Sequence, residues 1–122
     1  MLTSKQQLGM RGEDQIAHYL IDQGFTILAR NYQKQYGELE LVAVKDNTLA
    51  FVEVKTRAYH LFEAAALVPL SKQKKIIKTA YAFIAEHKMT DKVYRFDIAL
   101  IYTTCGMLEI DYIPDAFTDE LG

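Results

Sequence analysis

The sequence predicts an α/β layer fold, a mixed central sheet flanked by helices, with its elements in the order α-β-β-β-α-β-β. Three observations predict it. Two stretches carry apolar residues at helical spacing, and five shorter ones are rich in β-branched and aromatic residues. The second helical stretch lies between the third and fourth strands, where a right-handed parallel crossover needs one. The chain has 122 residues, long enough to bury a core without disulfides or structural zinc, and is expected to form one domain over residues 1–122.

Residues 6–23 are expected to form the first helix. Ile16, Ala17, Leu20 and Ile21 make its apolar stripe, and Gly24 stops it. Helical spacing puts Glu13 within that stripe, and an inward carboxylate needs a partner. Gly9 and Gly12 each weaken the helix by about 1 kcal/mol relative to Ala. They either let another backbone approach near Glu13 or mark a frayed first turn. Residues 25–32 read as the first strand, and 38–44 and 49–56 as the second and third, joined by a two-residue turn at Asp46-Asn47. Residues 58–70 read as irregular or partly helical. Ser71 is the expected N-cap of a helix reaching about residue 87, with Ile76, Ile77, Ala80, Tyr81 and Ile84 on its apolar face. Residues 93–102 form a strongly apolar strand and 107–113 the last one.

Composition excludes several function classes. Cys105 is the only cysteine, which rules out an intrachain disulfide or a cysteine-based zinc site and fits a reducing cytoplasm. The first residues lack the apolar stretch of a secretory signal, and no apolar run approaches the roughly 20 residues of a membrane span. A cytoplasmic protein without membrane contact is therefore expected. The formal net charge of −2 counts against a protein that coats nucleic acid non-specifically. It is compatible with a nuclease, whose site acids lower the total while positive charge gathers elsewhere.

The second and third strands carry the strongest chemical signal. A two-residue turn at Asp46-Asn47 pairs residues whose numbers sum to 93, so Val42 faces Phe51, Glu40 faces Glu53 and Glu38 faces Lys55. Two carboxylates directly opposite each other destabilise a sheet. A divalent cation between them would offset that cost, because hard cations take oxygen ligands. Glu40 and Glu53 are thus candidate metal ligands. Lys55 shares the strand face of Glu53, where it could orient or deprotonate a water or neutralise charge developing on a phosphorane. The competing reading makes Glu38, Glu40, Glu53 and Lys55 the solvated face of an amphipathic hairpin, since Glu-x-Lys alone is common.

Other groups are weaker signals. Lys72, Lys74, Lys75 and Lys78 crowd the start of the second helix, where they oppose the macrodipole. With Arg57 they form either a DNA-backbone patch, the phosphate offsetting that repulsion, or a solvated lysine face. His18, His60 and His87 lack metal-ligand spacing. Asp97, inside an apolar strand, reads as a structural hydrogen-bonding residue rather than a catalytic one.

The arrangement resembles the PD-(D/E)xK nuclease superfamily, which includes restriction endonucleases and archaeal Holliday-junction resolvases. The chain is most similar within it to the small bacterial YraN-like family, an uncharacterised group with a restriction-endonuclease-like fold. The matching stretches are Arg11-Gly12-Glu13-Asp14, Ala29-Arg30-Asn31-Tyr32, Tyr36-Gly37-Glu38-Leu39-Glu40-Leu41-Val42 and Leu49-Ala50-Phe51-Val52-Glu53-Val54-Lys55-Thr56-Arg57. Ser71-Lys72-Gln73, Arg95-Phe96-Asp97 and Asp115-Ala116-Phe117 follow, so the likeness covers a core of about residues 9–118.

The resemblance implies roles. Glu40 and Glu53 match the two metal-binding acids, Lys55 the lysine, and the Val54 carbonyl a further ligand to Mg²⁺ or Mn²⁺. Glu13 matches the helix-borne acid of resolvase-like members, and Gln73 a glutamine that related nucleases carry near the site. Arg57, Lys72, Gln73 and Lys75 become the expected nucleic-acid contacts. The family pattern has Asp where this chain has Glu40, a carboxylate one methylene longer. The implied function is that of a metal-dependent endonuclease hydrolysing phosphodiester bonds in DNA, with branched or repair intermediates as candidate substrates, RNA not excluded, and a homodimer by analogy. The alternative is a non-catalytic module that keeps the nuclease fold for binding nucleic acid or protein.

Overall fold

The computed structural model describes residues 4–58 and 67–119, and of residues 4–11 the backbone alone. His60 and most of the stretch expected to be irregular lie outside the described residues, as does the Arg11 side chain. The elements are α1 (Ser4–Asp22), β1 (Thr26–Lys34), β2 (Gly37–Lys45), β3 (Thr48–Thr56), α2 (Leu70–Glu86), β4 (Val93–Thr104) and β5 (Met107–Phe117). They form a five-stranded sheet in the order β1-β2-β3-β4-β5, antiparallel except for the parallel β3–β4 pair that α2 connects. This is the expected mixed α/β sheet.

One helix covers each face of the sheet. Ile16, Ala17 and Leu20 of α1 pack with Leu41, Ala43, Ala50, Val52, Val54, Ala99 and Ile101. Ile76, Ile77, Ala80, Phe83 and Ile84 of α2 pack with Val42, Leu49, Phe51, Phe96, Ile98, Leu100 and Phe117. The second core is strongly aromatic: Phe51 stacks on Phe96 at 5.6 Å between ring centroids, Phe96 on Phe117 at 5.2 Å, and Phe83 meets Phe51 edge-on. Such pairs add about 0.5–1.5 kcal/mol each beyond the apolar area they bury.

Local chemistry sets the element ends. Gly24 (φ 94°) closes α1 in a Schellman motif: its N–H donates to the Ile21 carbonyl, and the Phe25 N–H to the Leu20 carbonyl. Asp46 (φ 53°) opens the two-residue turn, so Lys45 pairs with Thr48 and Val42 with Phe51, the register expected from the sequence. Cys105 (φ 51°) and Gly106 (φ 77°), both left-handed, make the two-residue turn from β4 into β5. The start of α2 differs from expectation. Pro69, not Ser71, is the N-cap, and it makes no side-chain capping bond. Proline's fixed φ suits a helix entry, so the helix starts one residue before the serine. The last strand continues through Pro114 to Phe117, which an edge strand tolerates because one side of it needs no ladder donor. Among the described residues, no helix is long and apolar enough to cross a membrane.

Candidate active site

The site lies where β2 and β3 part. Their ladder runs from Lys45–Thr48 to Leu41–Val52 and stops there. The sequence-derived register would continue to Glu40–Glu53 and Glu38–Lys55, and neither pair forms in the ladder. Glu38 instead pairs with Gln33 across β1 and accepts a 2.7 Å hydrogen bond from its amide, out in solvent. Glu40 turns its carboxyl towards β3, where Oε2 accepts the Val54 N–H at 3.1 Å. The side chain thus takes up the backbone donor that the diverging strand leaves behind.

Two features produce the divergence. A Cβ on Gly37 would come within 2.9 Å of the Lys75 carbonyl oxygen, so only glycine lets the start of β2 lie this close against α2. Asn31 takes a left-handed backbone (φ 53°) between the Arg30–Leu41 and Tyr32–Leu39 pairs, directly across from Glu40. Leu39 and Val42 consequently enter the same core although three residues apart. The strict alternation of a strand is broken at Glu40, which frees its side chain to reach sideways.

Glu53 is 4% exposed and sits on the α2 side of β3. Its Oε1 receives Lys72 Nζ at 2.7 Å and Lys55 Nζ at 3.4 Å. Burial, with the charge of Glu53 and a hydrogen bond to it, pushes the Glu40 carboxyl up to about 8, against the opposing pull of the Val54 N–H and Lys55. At neutral pH this favours the protonated form of Glu40 beside Glu53. Burial and the neighbouring Lys72 lower the Lys55 ammonium below its ordinary value, with Glu53 partly restoring it. Lys72 moves the other way: burial is the largest single influence and opposes its charge, but the hydrogen bond to Glu53, the Lys55 contact and the charges of Glu53 and Glu40 together raise it. The cluster thus joins a protonated carboxyl, a carboxylate, an amine with weakened hold on its proton, and a firmly charged ammonium.

Glu13 stands apart from this group. Gly12 brings α1 close to the end of β3, where an added Cβ would lie 2.8 Å from Thr56 Oγ1. The Glu13 carboxylate accepts Arg30 Nε and the Asn31 amide at 3.2 Å each, while Arg30 also reaches Asp14 at 2.7 Å. These four residues line a polar cleft of ≈ 280 Å³. Among the described residues, no three histidine, cysteine, aspartate or glutamate side chains gather as a ready-made metal cage.

The remaining expected contacts are dispersed. Gln73 donates to the Val68 carbonyl at 2.9 Å, holding the entry of α2. Lys75 and Lys74 are exposed, and Lys78 covers the Tyr36 ring at 4.5 Å. Arg57 is exposed, donating to the Thr56 carbonyl from its side chain and to the Ile101 carbonyl from its backbone. His18 is exposed, and His87 stacks on Phe83 at the end of α2. Asp97 is fully buried, aligned with Val52 rather than with Glu53. It accepts Arg95 Nε at 3.0 Å, the Asp115 N–H at 2.9 Å and the Tyr112 hydroxyl, a saturated structural role.

Sequence reasoning read Lys72 as a surface phosphate contact and gave Arg30 and Asn31 no role. The crossover itself was the available signal for Lys72. In a parallel β-α-β unit the entering turn of the helix returns over the C-terminal end of the first strand, which here carries Glu53 and Lys55.

Comparison with known proteins agrees with this architecture. Residues 12–101 match the family described as "Uncharacterised protein family UPF0102". A UPF0102 protein of Desulforapulum autotrophicum is 40% identical over 118 residues, covering 96% of this chain and 98% of that protein. Another from Vibrio parahaemolyticus is 35% identical over 120 residues, covering 97% and 98%. Among solved structures, the Holliday junction resolvase Hjc of Archaeoglobus fulgidus aligns with a TM-score of 0.52 at 17% identity, over 85% of this chain and 73% of the resolvase. The fold is thus of the restriction-endonuclease-like type, and the chain belongs to the UPF0102 family.

Proposed function

We propose that this UPF0102 protein is a metal-dependent endonuclease that hydrolyses phosphodiester bonds in DNA. One observation carries the reading: at the point where β2 and β3 part, Glu40 accepts the Val54 N–H beside buried Glu53, whose Oε1 takes both Lys55 and Lys72. A buried carboxyl pair of this kind is costly to the fold unless something is gained from it. The likeness to a Holliday junction resolvase supports a DNA substrate, branched DNA included.

The donor set fits a small hard cation. Mg²⁺ and Mn²⁺ are commonly held by one or two carboxylates, with water and substrate phosphate completing the shell. Glu40 and Glu53 would supply the carboxylates and Val54 a backbone carbonyl, in a site whose burial already disfavours the uncompensated charge of Glu40. Bound there, the cation would lower the pKa of a water and polarise the scissile phosphate. Glu53 anchors the assembly from the rigid β3–β4 core. Lys55, held on Glu53, orients the attacking water or neutralises the charge developing on the phosphorane. Glu13 serves this site from α1 once Arg30 and Asn31 release it. Exposed Arg57 and Lys75 offer charge to the DNA backbone.

The retention of Glu13 by Arg30 favours a second reading, a non-catalytic DNA- or protein-binding module on the same fold. Cleavage assays with Mn²⁺ on branched and linear DNA, comparing wild type with Glu53→Ala and Lys55→Ala, separate the two. Cleavage by wild type that each substitution abolishes, with the fold intact, supports the enzyme. Full activity in either variant sinks the assignment, and DNA binding without any cleavage supports the module.

A further inference from the structure

Two ammonium groups converge on one oxygen of Glu53, and they are not equivalent. The Lys55 side chain is 14% exposed and rooted in a central strand. Lys72 is 43% exposed, rises from the first turn of α2 and approaches closer, at 2.7 Å. Its neighbours Ser71, Lys74 and Lys75 are all exposed, so the flexible four-carbon stem has open solvent to swing into. A divalent ion at Glu53 and the Lys72 ammonium repel each other, and Lys72 is the one free to leave.

Resting on the reading that Glu40 and Glu53 hold a cation, we propose that Lys72 is an internal counter-ion that keeps the metal's place at Glu53 and moves to a DNA phosphate when the metal binds. Displacing Lys72 weakens metal binding to the free protein. A phosphate that receives the displaced ammonium beside α2 removes part of that penalty. Metal and DNA then favour each other's binding, and the coupling is reciprocal. The device keeps metal occupancy low until a substrate phosphate is present.

The test is calorimetric titration of Mn²⁺ into wild type, Lys72→Met, Lys72→Arg and Glu53→Gln at one pH, each with and without a short phosphorothioate duplex that resists cleavage. Without DNA, Lys72→Met should bind Mn²⁺ about tenfold more tightly than wild type, within the range typical of coupled sites. Lys72→Arg keeps the competing charge and should stay near wild type. The duplex should tighten Mn²⁺ binding in wild type and do so much less in Lys72→Met. Equal or weaker Mn²⁺ binding by Lys72→Met, with wild-type binding lost in Glu53→Gln, overturns the role of Lys72 and leaves the cation site standing. No saturable Mn²⁺ binding in wild type or Lys72→Met, with or without the duplex, overturns both.

Discussion

Replacing Glu40 by glutamine should stabilise the metal-free protein near neutral pH. The Glu40 carboxyl is raised from its ordinary 4.5 to about 8 by burial and by Glu53. Between those values the native state binds more protons than the unfolded chain, so stability falls as pH rises through the window. At about 1.4 kcal/mol per pH unit, the loss between pH 4.5 and 7 is on the order of 3 kcal/mol. Glutamine resembles the protonated acid: its oxygen accepts the Val54 N–H and its amide donates to Glu53. Urea unfolding of wild type and Glu40→Gln in EDTA at pH 5 and pH 7.5 measures the difference. The two should be nearly equal at pH 5, and the variant about 1–3 kcal/mol more stable at pH 7.5. Adding Mn²⁺ at about one hundred times its Kd should then stabilise wild type by about 2.7 kcal/mol and the variant by much less. A Glu40→Gln protein destabilised equally at both pH values would refute the reasoning, because Glu40 would then be a carboxylate held by Val54 and Lys55.

Other substitutions probe the scaffold. Gly37→Ala drives a methyl to within 2.9 Å of the Lys75 carbonyl and should cost about 1–3 kcal/mol in urea unfolding, with weaker Mn²⁺ binding because β2 must shift. Asp97→Ala strands Arg95, Tyr112 and the Asp115 N–H and should cost about 3 kcal/mol or more, read by thermal or urea melts. Because Asp97 aligns with Val52 rather than Glu53, whatever Asp97→Ala protein folds should bind Mn²⁺ as wild type does in calorimetry. Arg30→Ala removes the cation that holds Glu13 and leaves it only the Asn31 amide, so if Glu13 serves the site Mn²⁺ affinity should rise in calorimetry; unchanged affinity would count against Glu13 as a ligand.

Much of the fold was legible because its signals are local. The Gly24 stop, the Asp46 turn and the apolar faces of both helices involve residues close in sequence, and each predicted its element to within a few residues. The parallel crossover followed from element order alone. The last strand was cut short at Pro114 because proline breaks a strand only where its missing N–H is needed, and an edge position hides that difference from the sequence.

That Glu40, Glu53 and Lys55 gather was legible in the sequence; how they gather was not. Register counted outward from the turn holds for the five residue pairs from Lys45–Thr48 to Leu41–Val52 and then fails at Glu40. The failure is tertiary in origin: the Gly37–Lys75 contact with α2 and the left-handed Asn31 in the neighbouring strand pull β2 away from β3. A flat hairpin would set Glu40 and Glu53 in like-charge opposition with no backbone donor between them. Divergence instead brings the Val54 N–H to Glu40 and the α2 lysine to Glu53, so that each acid meets a different partner. The longer side chain at position 40 belongs to the same solution. From a strand that has already turned away, the extra methylene of Glu40 lets its carboxyl span the gap to Val54 and still meet Glu53. Shortening it in Glu40→Asp should therefore weaken the Val54 contact and lower, not raise, Mn²⁺ affinity. Tighter binding by Glu40→Asp would mean that the glutamate is a departure from the metal-binding geometry, not an adaptation to the parted strands.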